Sequence, residues 1–320
     1  LDQNRRAKSS DTPLISESYM PEKISGEGLL SLTDDFDFDG GFKIIGVTTV
    51  ADKSLNYVIN KTMMRVDLPE ALEPGKKYTF NIEWNFNIQD RMKMGGRSGY
   101  EYFPKDDNYL YAIAQWFPRM AVYDDLEGWQ NKQFLGSGEF ALEFGDYKVR
   151  LTVPADFMVG STGALQNPKE VLSAKEMERF ELAKKTFDKP VFIRTEEEAI
   201  ANESSRSTEK RTWEFHAENV RDFAFACSRK FIWDAQAVEL NEKTPLAMSY
   251  YPKEGNPLWE EESTKAVANT LRTYSKYTID YPYPVAISVH TASIGMEYPM
   301  ICFNYGRPKD DGTYKESVKW

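Results

Sequence analysis

The chain has 320 residues, enough for about two domains at roughly 150 residues each. Apolar residues make up 41% and charged residues 28% of it, a balance that excludes wholesale disorder and allows a sizeable core. The net charge of -10 disfavours binding to phosphate backbones, and no apolar stretch is long enough to cross a bilayer. We therefore expect neither nucleic-acid binding nor a membrane span.

The scarcity of histidine and cysteine limits the metal chemistry of the chain. Its only histidines are His216 and His290, and its only cysteines are Cys227 and Cys302. A cysteine-rich zinc site is excluded, and a catalytic zinc site would need additional carboxylates. The sequence favours two free thiols and leaves one disulfide between them open. We expect no metal site in this chain.

Most of the first 240 residues consist of short alternating or apolar segments separated by turn residues, a pattern typical of β-strands. Aromatic residues, at 14%, also favour sheets. We predict strands over residues 42–50, 56–66, 78–88, 139–153 and 212–227. Many strands at such intervals indicate an antiparallel β-sandwich or saddle-shaped sheet.

Two helices are predicted. Ser173 and Glu176 match a capping box, and the residues expected on the buried face of the following helix are Met177, Phe180, Ala183 and Phe187. After a predicted strand at 246–251, Asn256 and Pro257 suit the start of a second helix. Its expected buried face comprises Val267, Leu271, Tyr274 and Thr278. A short apolar strand over 285–290 follows, and the change of pattern places a domain boundary near residue 237.

The segment with the most chemical information is Gly295-Met296-Glu297-Tyr298, which comes after the second helix and the short strand. In this position it resembles the G-x-M-E-N motif of the zinc aminopeptidases that include aminopeptidase N and the leukotriene hydrolases. Further similarity in the same order lies at residues 115–125, 145–149, 154–156, 162–163 and 218–224. Together these segments are spread over about two thirds of the chain.

The resemblance implies a mainly β fold with some α-helix. Residues 1–237 would form an antiparallel, saddle-like β-sandwich domain that lacks its first strands, and residues 238–320 would begin a thermolysin-like catalytic domain. The H-E-x-x-H zinc motif of the family does not occur in the sequence. We therefore expect a fragment that ends just before this motif, from a parent that carries zinc. The fragment alone would neither bind catalytic zinc nor cleave peptides.

The resemblance also implies roles for individual residues, with a peptide as the partner. Glu297 would accept hydrogen bonds from the α-amine of the substrate, and the backbone of Gly295 and Met296 would align the peptide. Gln115 would help to close the amine pocket. Tyr298 stands where the family has Asn, which leaves strict aminopeptidase specificity open. A structural role, with the Glu297 carboxylate bonded to backbone amides, is the alternative.

Two other functions stay open from the sequence. A relative without catalytic activity would keep the architecture as a binding or scaffold module. An unrelated carbohydrate-binding β-sandwich could use the aromatic side chains of Trp116, Trp129 and Trp213, although an aromatic core is their commoner use. The oligomeric state is not readable from the sequence. The compartment is also open, and only the resemblance favours export.

Overall fold

The computed structural model describes residues 25–26, 38–132, 141–292, 295–309 and 311–314. The chain forms two compact units. One comprises Leu1–Gln89 and Arg119–Glu143, and the other comprises Asp90–Pro118 and Phe144–Trp320. The second unit contains Gln115 and residues 295–297, which are the residues expected to bind substrate.

The described residues are rich in strands and have few helices. In chain order the strands are β1 (Lys43–Thr49), β2 (Tyr57–Asn60), β3 (Met63–Val66), β4 (Phe80–Asn85), β5 (Gly99–Phe103), β6 (Asn108–Ile113), β7 (Tyr123–Asp124), β8 (Gly128–Trp129), β9 (Gly145–Pro154), β10 (Met158–Ser161), β11 (Ala164–Leu165), β12 (Val191–Arg194), β13 (Lys210–Val220), β14 (Phe225–Ser228), β15 (Ile232–Ala237), β16 (Leu246–Tyr251), β17 (Val285–His290), β18 (Met296–Tyr298) and β19 (Ile301–Asn304). The α-helices are α1 (Arg91–Met94), α2 (Pro168–Val171), α3 (Ala174–Ala183), α4 (Glu196–Glu203) and α5 (Thr264–Tyr277). The sheet-rich, helix-poor prediction is confirmed.

In its described residues the first unit contains three antiparallel strand pairs, β1 with β4, β2 with β3 and β7 with β8. The sequence predicted one strand over residues 56–66, but the structure has a hairpin there. Asn60 pairs with Met63, and Lys61 between them has a φ of 58°. The chain reverses at Lys61 and Thr62, which carry none of the glycine or proline signals that mark most tight turns.

The strands described in the second unit form three sheets. One has the order β10-β14-β6-β5 and another the order β11-β13-β9. The third has six strands in the order β12-β15-β16-β17-β19-β18. Its β16–β17 and β17–β19 pairs are parallel, whereas its other pairs are antiparallel. The strands β15 and β16 are buried along their whole length, as expected for central strands with both faces covered.

The helix α5 connects β16 to its parallel neighbour β17 and packs on the six-stranded sheet. Ala268 and Leu271 on the helix are buried against Val238 and Ala247. The structure differs from the predicted helix face, because Tyr274 is 67% exposed and Thr278 lies beyond the helix end. A π-helical turn over Trp259–Ser263 precedes α5 and rotates its face relative to a regular helix begun at Pro257.

The predicted capping box at the start of α3 is confirmed. The Ser173 hydroxyl accepts from the Glu176 N–H, and the Glu176 carboxylate accepts from the Ser173 N–H at 2.9 Å. Phe180 and Ala183 are buried as expected. Phe187, which the sequence placed on the same face, lies after the helix end and is 43% exposed.

The structure shows where both cysteines and two of the candidate sugar-binding tryptophans lie. Cys227 and Cys302 are both free thiols, which confirms the favoured assignment. Trp213 is 1% exposed in the main core, and Trp116 packs against that core while its indole donates to the Phe223 carbonyl at 3.0 Å. These two side chains therefore serve packing and not a sugar-binding surface. Among the described residues, no helix combines the length and hydropathy needed to cross a membrane.

Candidate functional site

Gly295, Met296 and Glu297 lie at the start of β18, at one end of the six-stranded sheet. This strand pairs antiparallel with β19, so that Met296 is opposite Phe303 and Glu297 is opposite Cys302. Among the described strands, β19 is the only neighbour of β18. An edge strand presents backbone N–H and C=O groups along its outer side, which allows an extended peptide to add to the sheet.

The Glu297 side chain is exposed and, within the described residues, forms no hydrogen bond or ion pair. The alternative role, a carboxylate bonded to backbone amides, therefore has no support in the described residues. Burial, and then the charge of Glu297, raise the pKa of the Cys302 thiol on the opposite strand. Among the described residues, Glu297 is thus an exposed carboxylate without a partner.

The turn after β18 has an unusual backbone. Tyr298 pairs with Ile301, so Pro299 and Met300 form a two-residue connection, and Met300 has a φ of 64°. Proline followed by a residue with positive φ matches a type II turn, where glycine or asparagine is normal in the second position. A left-handed conformation costs a residue with a β-carbon about 1–2 kcal/mol. Burial of the Met300 side chain, 5% exposed in the main core, offsets this cost.

Hydrogen bonds from other elements hold the same turn. The Thr162 hydroxyl donates to the Pro299 carbonyl at 3.0 Å, and the Ile287 N–H donates to the Met300 carbonyl at 2.8 Å. The Thr162 oxygen also accepts from the Ala224 N–H at 3.1 Å. The strand that carries Glu297 is therefore fixed at its C-terminal end by contacts from distant parts of the second unit.

Gln115, which is far from Glu297 in sequence, lies next to the same strand. Its backbone N–H donates to the Tyr298 hydroxyl oxygen at 3.2 Å, and its own φ is 52°. Side chains alternate along a strand, so Tyr298 shares a face with buried Met296, and Glu297 lies on the other face. The structure thus brings the Gln115 backbone to β18 through Tyr298, not through Glu297.

Two cavities lie elsewhere in the second unit, and Glu297 lines neither. The larger has a volume of about 520 Å³. His216 and Glu218, which project from the same face of β13, contribute to its wall together with Met300. Its remaining lining residues are Ala164, Gln166, Lys243, Thr244, Pro245, Pro282, Tyr283 and Pro284. Through Met300, this cavity reaches the turn that follows β18.

Among the described residues, one carboxylate group has the spacing of a metal site, namely Asp106, Glu203 and Glu254. The ammonium of Lys230, whose side chain is fully buried, occupies its centre. Lys230 pairs with Asp106, with Glu203 at 2.6 Å and with Glu254 at 3.0 Å. The group has no imidazole or thiolate ligand, and its carboxylates already bind a cation. These residues do not fit a catalytic zinc ion.

Both histidines are also unsuitable as a zinc pair. His290, at the end of β17, is fully buried against Trp259, and neither ring nitrogen has a hydrogen-bond partner among the described residues. Burial, and then the positive charge of Arg307, lower the pKa of His290 well below its ordinary value. His216 lies on β13 and borders the larger cavity. The ring of His290 is therefore a neutral part of the core.

A buried acid with a raised pKa lies near the start of α5. Asp234 is 1% exposed, and its Oδ2 accepts from the Tyr251 hydroxyl at 2.6 Å. Burial raises the pKa of Asp234 to about 7. This group was not predicted, because a single aspartate in the segment IWDAQA gives no signal of how deeply its strand is buried.

Sequence reasoning also missed the contacts that hold the Glu297 strand. Tyr298 was noted only as a departure from the family motif, and Thr162 only as part of a similar segment. The bonds of Tyr298 to Gln115 and of Thr162 to Pro299 join residues separated by 183 and 137 positions, respectively. No local pattern predicts such pairings.

The chain is similar in structure to M1 zinc metallopeptidases. One, from Deinococcus radiodurans, has a TM-score of 0.53 at 13% sequence identity, over 87% of this chain and 52% of that chain. A glutamate-to-alanine variant bound to a Tyr-Ser-Ala substrate, from the same organism, gives a TM-score of 0.50 at 13% identity with the same coverage. A variant of a two-domain M1 zinc metallopeptidase bound to L-arginine gives 0.50 at 14% identity, again over 87% and 52%.

At this identity the similarity shows the fold alone. The chain spans about half the length of these structures. No protein-family model matches the sequence. No curated protein matches it either.

Proposed function

We propose that this chain forms the substrate-amine-binding part of a zinc-dependent metallopeptidase, most simply an aminopeptidase that removes N-terminal residues from peptides. The proposal joins the Gly295-Met296-Glu297 motif to a fold shared with M1 zinc metallopeptidases. Some of those neighbours were solved with a peptide or an amino acid bound. In this proposal residues 1–237 belong to the sheet domain, and residues 238–320 begin the catalytic domain.

The observation that carries the proposal is a free carboxylate on an edge strand. Glu297 is exposed and has no internal partner among the described residues, and β18 has one neighbouring strand in the described sheet. A carboxylate in a purely structural role would be expected to have hydrogen-bond partners of its own. An unpaired acid beside an open strand edge instead suits a cationic group at the end of an extended peptide.

The chemistry of this arrangement is positional. A peptide added along the outer side of β18 would bond to the strand backbone, and Gly295 would allow it a close approach. The Glu297 carboxylate would accept charge-assisted hydrogen bonds from the α-ammonium, which are roughly twice as strong as neutral ones. The first peptide bond would then sit at a fixed distance from Glu297, and the reaction gains from orientation.

The proposed zinc ion would be held by residues outside these 320. The sequence contains no H-E-x-x-H motif, and the acidic group around Lys230 does not fit zinc. When bound, zinc in such enzymes polarises the scissile carbonyl and lowers the pKa of a water. We assign this chain only the binding and orientation of the amine end.

The test is Glu297→Ala in the full-length protein that contains this chain, assayed on a dipeptide with a free N-terminus. Hydrogen bonds to charged groups contribute about 1.5–3 kcal/mol, and solvent exposure of Glu297 favours the lower value. We therefore expect kcat/KM to fall about tenfold. Glu297→Gln should fall by a similar factor, because the amide keeps the shape but not the charge.

The matched control is Glu178→Ala. Glu178 is an exposed glutamate on α3, away from β18, and its removal should leave kcat/KM unchanged. Unchanged kinetics in the Glu297 variants would refute the assigned role. If the wild-type protein binds free-amine peptides without cleaving them, the non-catalytic binding module is the correct function.

A further inference from the structure

Two residues with left-handed backbones flank the strand that carries Glu297. The described residues other than glycine with positive φ are Asp52, Lys61, Asp107, Gln115, Asn219 and Met300. Three of these six are Asp or Asn, which tolerate this conformation through local hydrogen bonds. Gln115 and Met300 are not of this type, and both adjoin β18. Backbone strain of this kind persists only where surrounding contacts impose it, and it clusters at functional sites.

The contact at Gln115 is the Tyr298 hydroxyl. The Gln115 N–H donates to it at 3.2 Å, and Gln115 is half-buried. Tyr298 is fixed in turn, since it pairs with Ile301 and is followed by the turn that Thr162 holds. An asparagine side chain in place of Tyr298 is too short to reach the same nitrogen.

We propose that Tyr298 is a positioning residue for the amine site. Its hydroxyl holds the Gln115 backbone in the left-handed conformation and thereby sets where the Gln115 carboxamide lies beside the strand of Glu297. The inference rests on the proposed function, because it gives Gln115 a part in binding the substrate amine. It also gives a role to the tyrosine that departs from the family motif.

The experiment compares Tyr298→Phe with wild type in the full-length protein. Removal of the hydroxyl leaves the ring in place and takes away the acceptor of the Gln115 N–H. Tyr283→Phe is the matched control, because the Tyr283 hydroxyl donates to the Asn219 carbonyl at 3.1 Å, whereas the Gln115 N–H donates to Tyr298. Two quantities are measured: hydrogen exchange of the Gln115 amide, and kcat and KM for a free-amine dipeptide.

In Tyr298→Phe we expect faster exchange at Gln115 and a KM raised about fivefold, the equivalent of one neutral hydrogen bond at about 1 kcal/mol. The value of kcat should stay unchanged, since the interaction orients bound substrate and transition state alike. Tyr283→Phe should alter neither quantity. Tyr298→Asn should have the same effects as Tyr298→Phe.

Different outcomes overturn different statements. Unchanged exchange at Gln115 would show that the hydroxyl does not hold this backbone. Faster exchange with an unchanged KM would show that Gln115 has no part in amine binding. In both cases the proposed function stands if Glu297→Ala still lowers kcat/KM. A wild-type protein that neither cleaves nor binds free-amine peptides would contradict the proposed function itself.

Discussion

At the scale of single residues, two acids of the second unit have opposite environments. Glu297 lies on the surface and has no partner in the described part of the chain, whereas Asp234 is enclosed between β15, β16 and the start of α5. Its Oδ1 has no hydrogen-bond partner among the described residues. Water cannot solvate a charge in this place, so the neutral carboxyl is favoured there.

The stability of the protein should therefore depend on Asp234 between about pH 4 and pH 7. Burial raises the folded pKa to about 7, above the unfolded value near 3.9. In this window the folded state keeps a proton that the unfolded state loses. The free energy of unfolding should fall as pH rises, by at most about 1.4 kcal/mol per pH unit from this group.

Asp234→Asn should remove this contribution, because asparagine stays neutral. Urea unfolding between pH 4 and pH 8 measures it as the difference in slope from wild type. Asp188→Asn, at an exposed position without a described ion pair, is the control and should leave the slope unchanged. A wild-type slope retained in Asp234→Asn would show that this carboxyl does not hold the proton.

The residues of the candidate site were predictable only in part. The Gly295-Met296-Glu297 segment could be identified by its position after the helix and the strand. Its exposure could not be predicted. Which face of β18 Glu297 occupies depends on pairing with β19, and that register is set by the buried side chains of Ile301 and Phe303. Local sequence does not contain this information.

At the scale of elements, local signals succeeded where neighbours within a few residues decide the structure. The capping box of α3 is an example, since Ser173 and Glu176 satisfy each other's backbone groups. Ser173→Ala should lower the free energy of unfolding by about 1 kcal/mol, as for other caps. Thermal or urea unfolding measures this. Ser204→Ala, at an exposed helix C-cap, is the control, and an equal loss there would contradict the capping explanation.

The predicted boundaries of elements were wrong where tertiary contacts determine where an element begins. The sequence placed the start of α5 at Pro257, but Trp259 inserts its ring into a small core with Ile232 and Tyr251, and a π-helical turn forms there. The extra residue in that turn shifts every later side chain. Along α5, Ala268 and Ser275 are buried, whereas Tyr274 is exposed. Hydrophobicity alone favours the opposite arrangement.

At the scale of the whole molecule, the two compact units do not follow a single break in the chain. Residues 90–118 and 144–320 form one unit, although residues 119–143 lie between them in sequence. Hydrophobic periodicity cannot show that the chain rejoins the second unit after residue 143. The predicted division near residue 237 concerns the parent domains and stays a prediction, and β15 and β16 on its two sides pair with each other.

Metal content is the property of the whole chain that tests the assignment of zinc. The isolated 320-residue chain should contain no stoichiometric zinc by elemental analysis. All its histidines and cysteines lie in described positions, and none forms a ligand group with a described acid. The full-length protein should contain one zinc per chain in the same measurement. Tight equimolar zinc in the isolated chain would reveal a site built differently from the one proposed.

The order of strands in the six-stranded sheet has a consequence for assembly. The strand with Glu297 is made before β19, yet within the described sheet it joins through β19 alone. It can therefore join the sheet only after residues 301–304 have been made. A chain truncated before residue 301 would therefore leave the Glu297 strand without its neighbour in the described sheet, and it should lose any binding that depends on that strand.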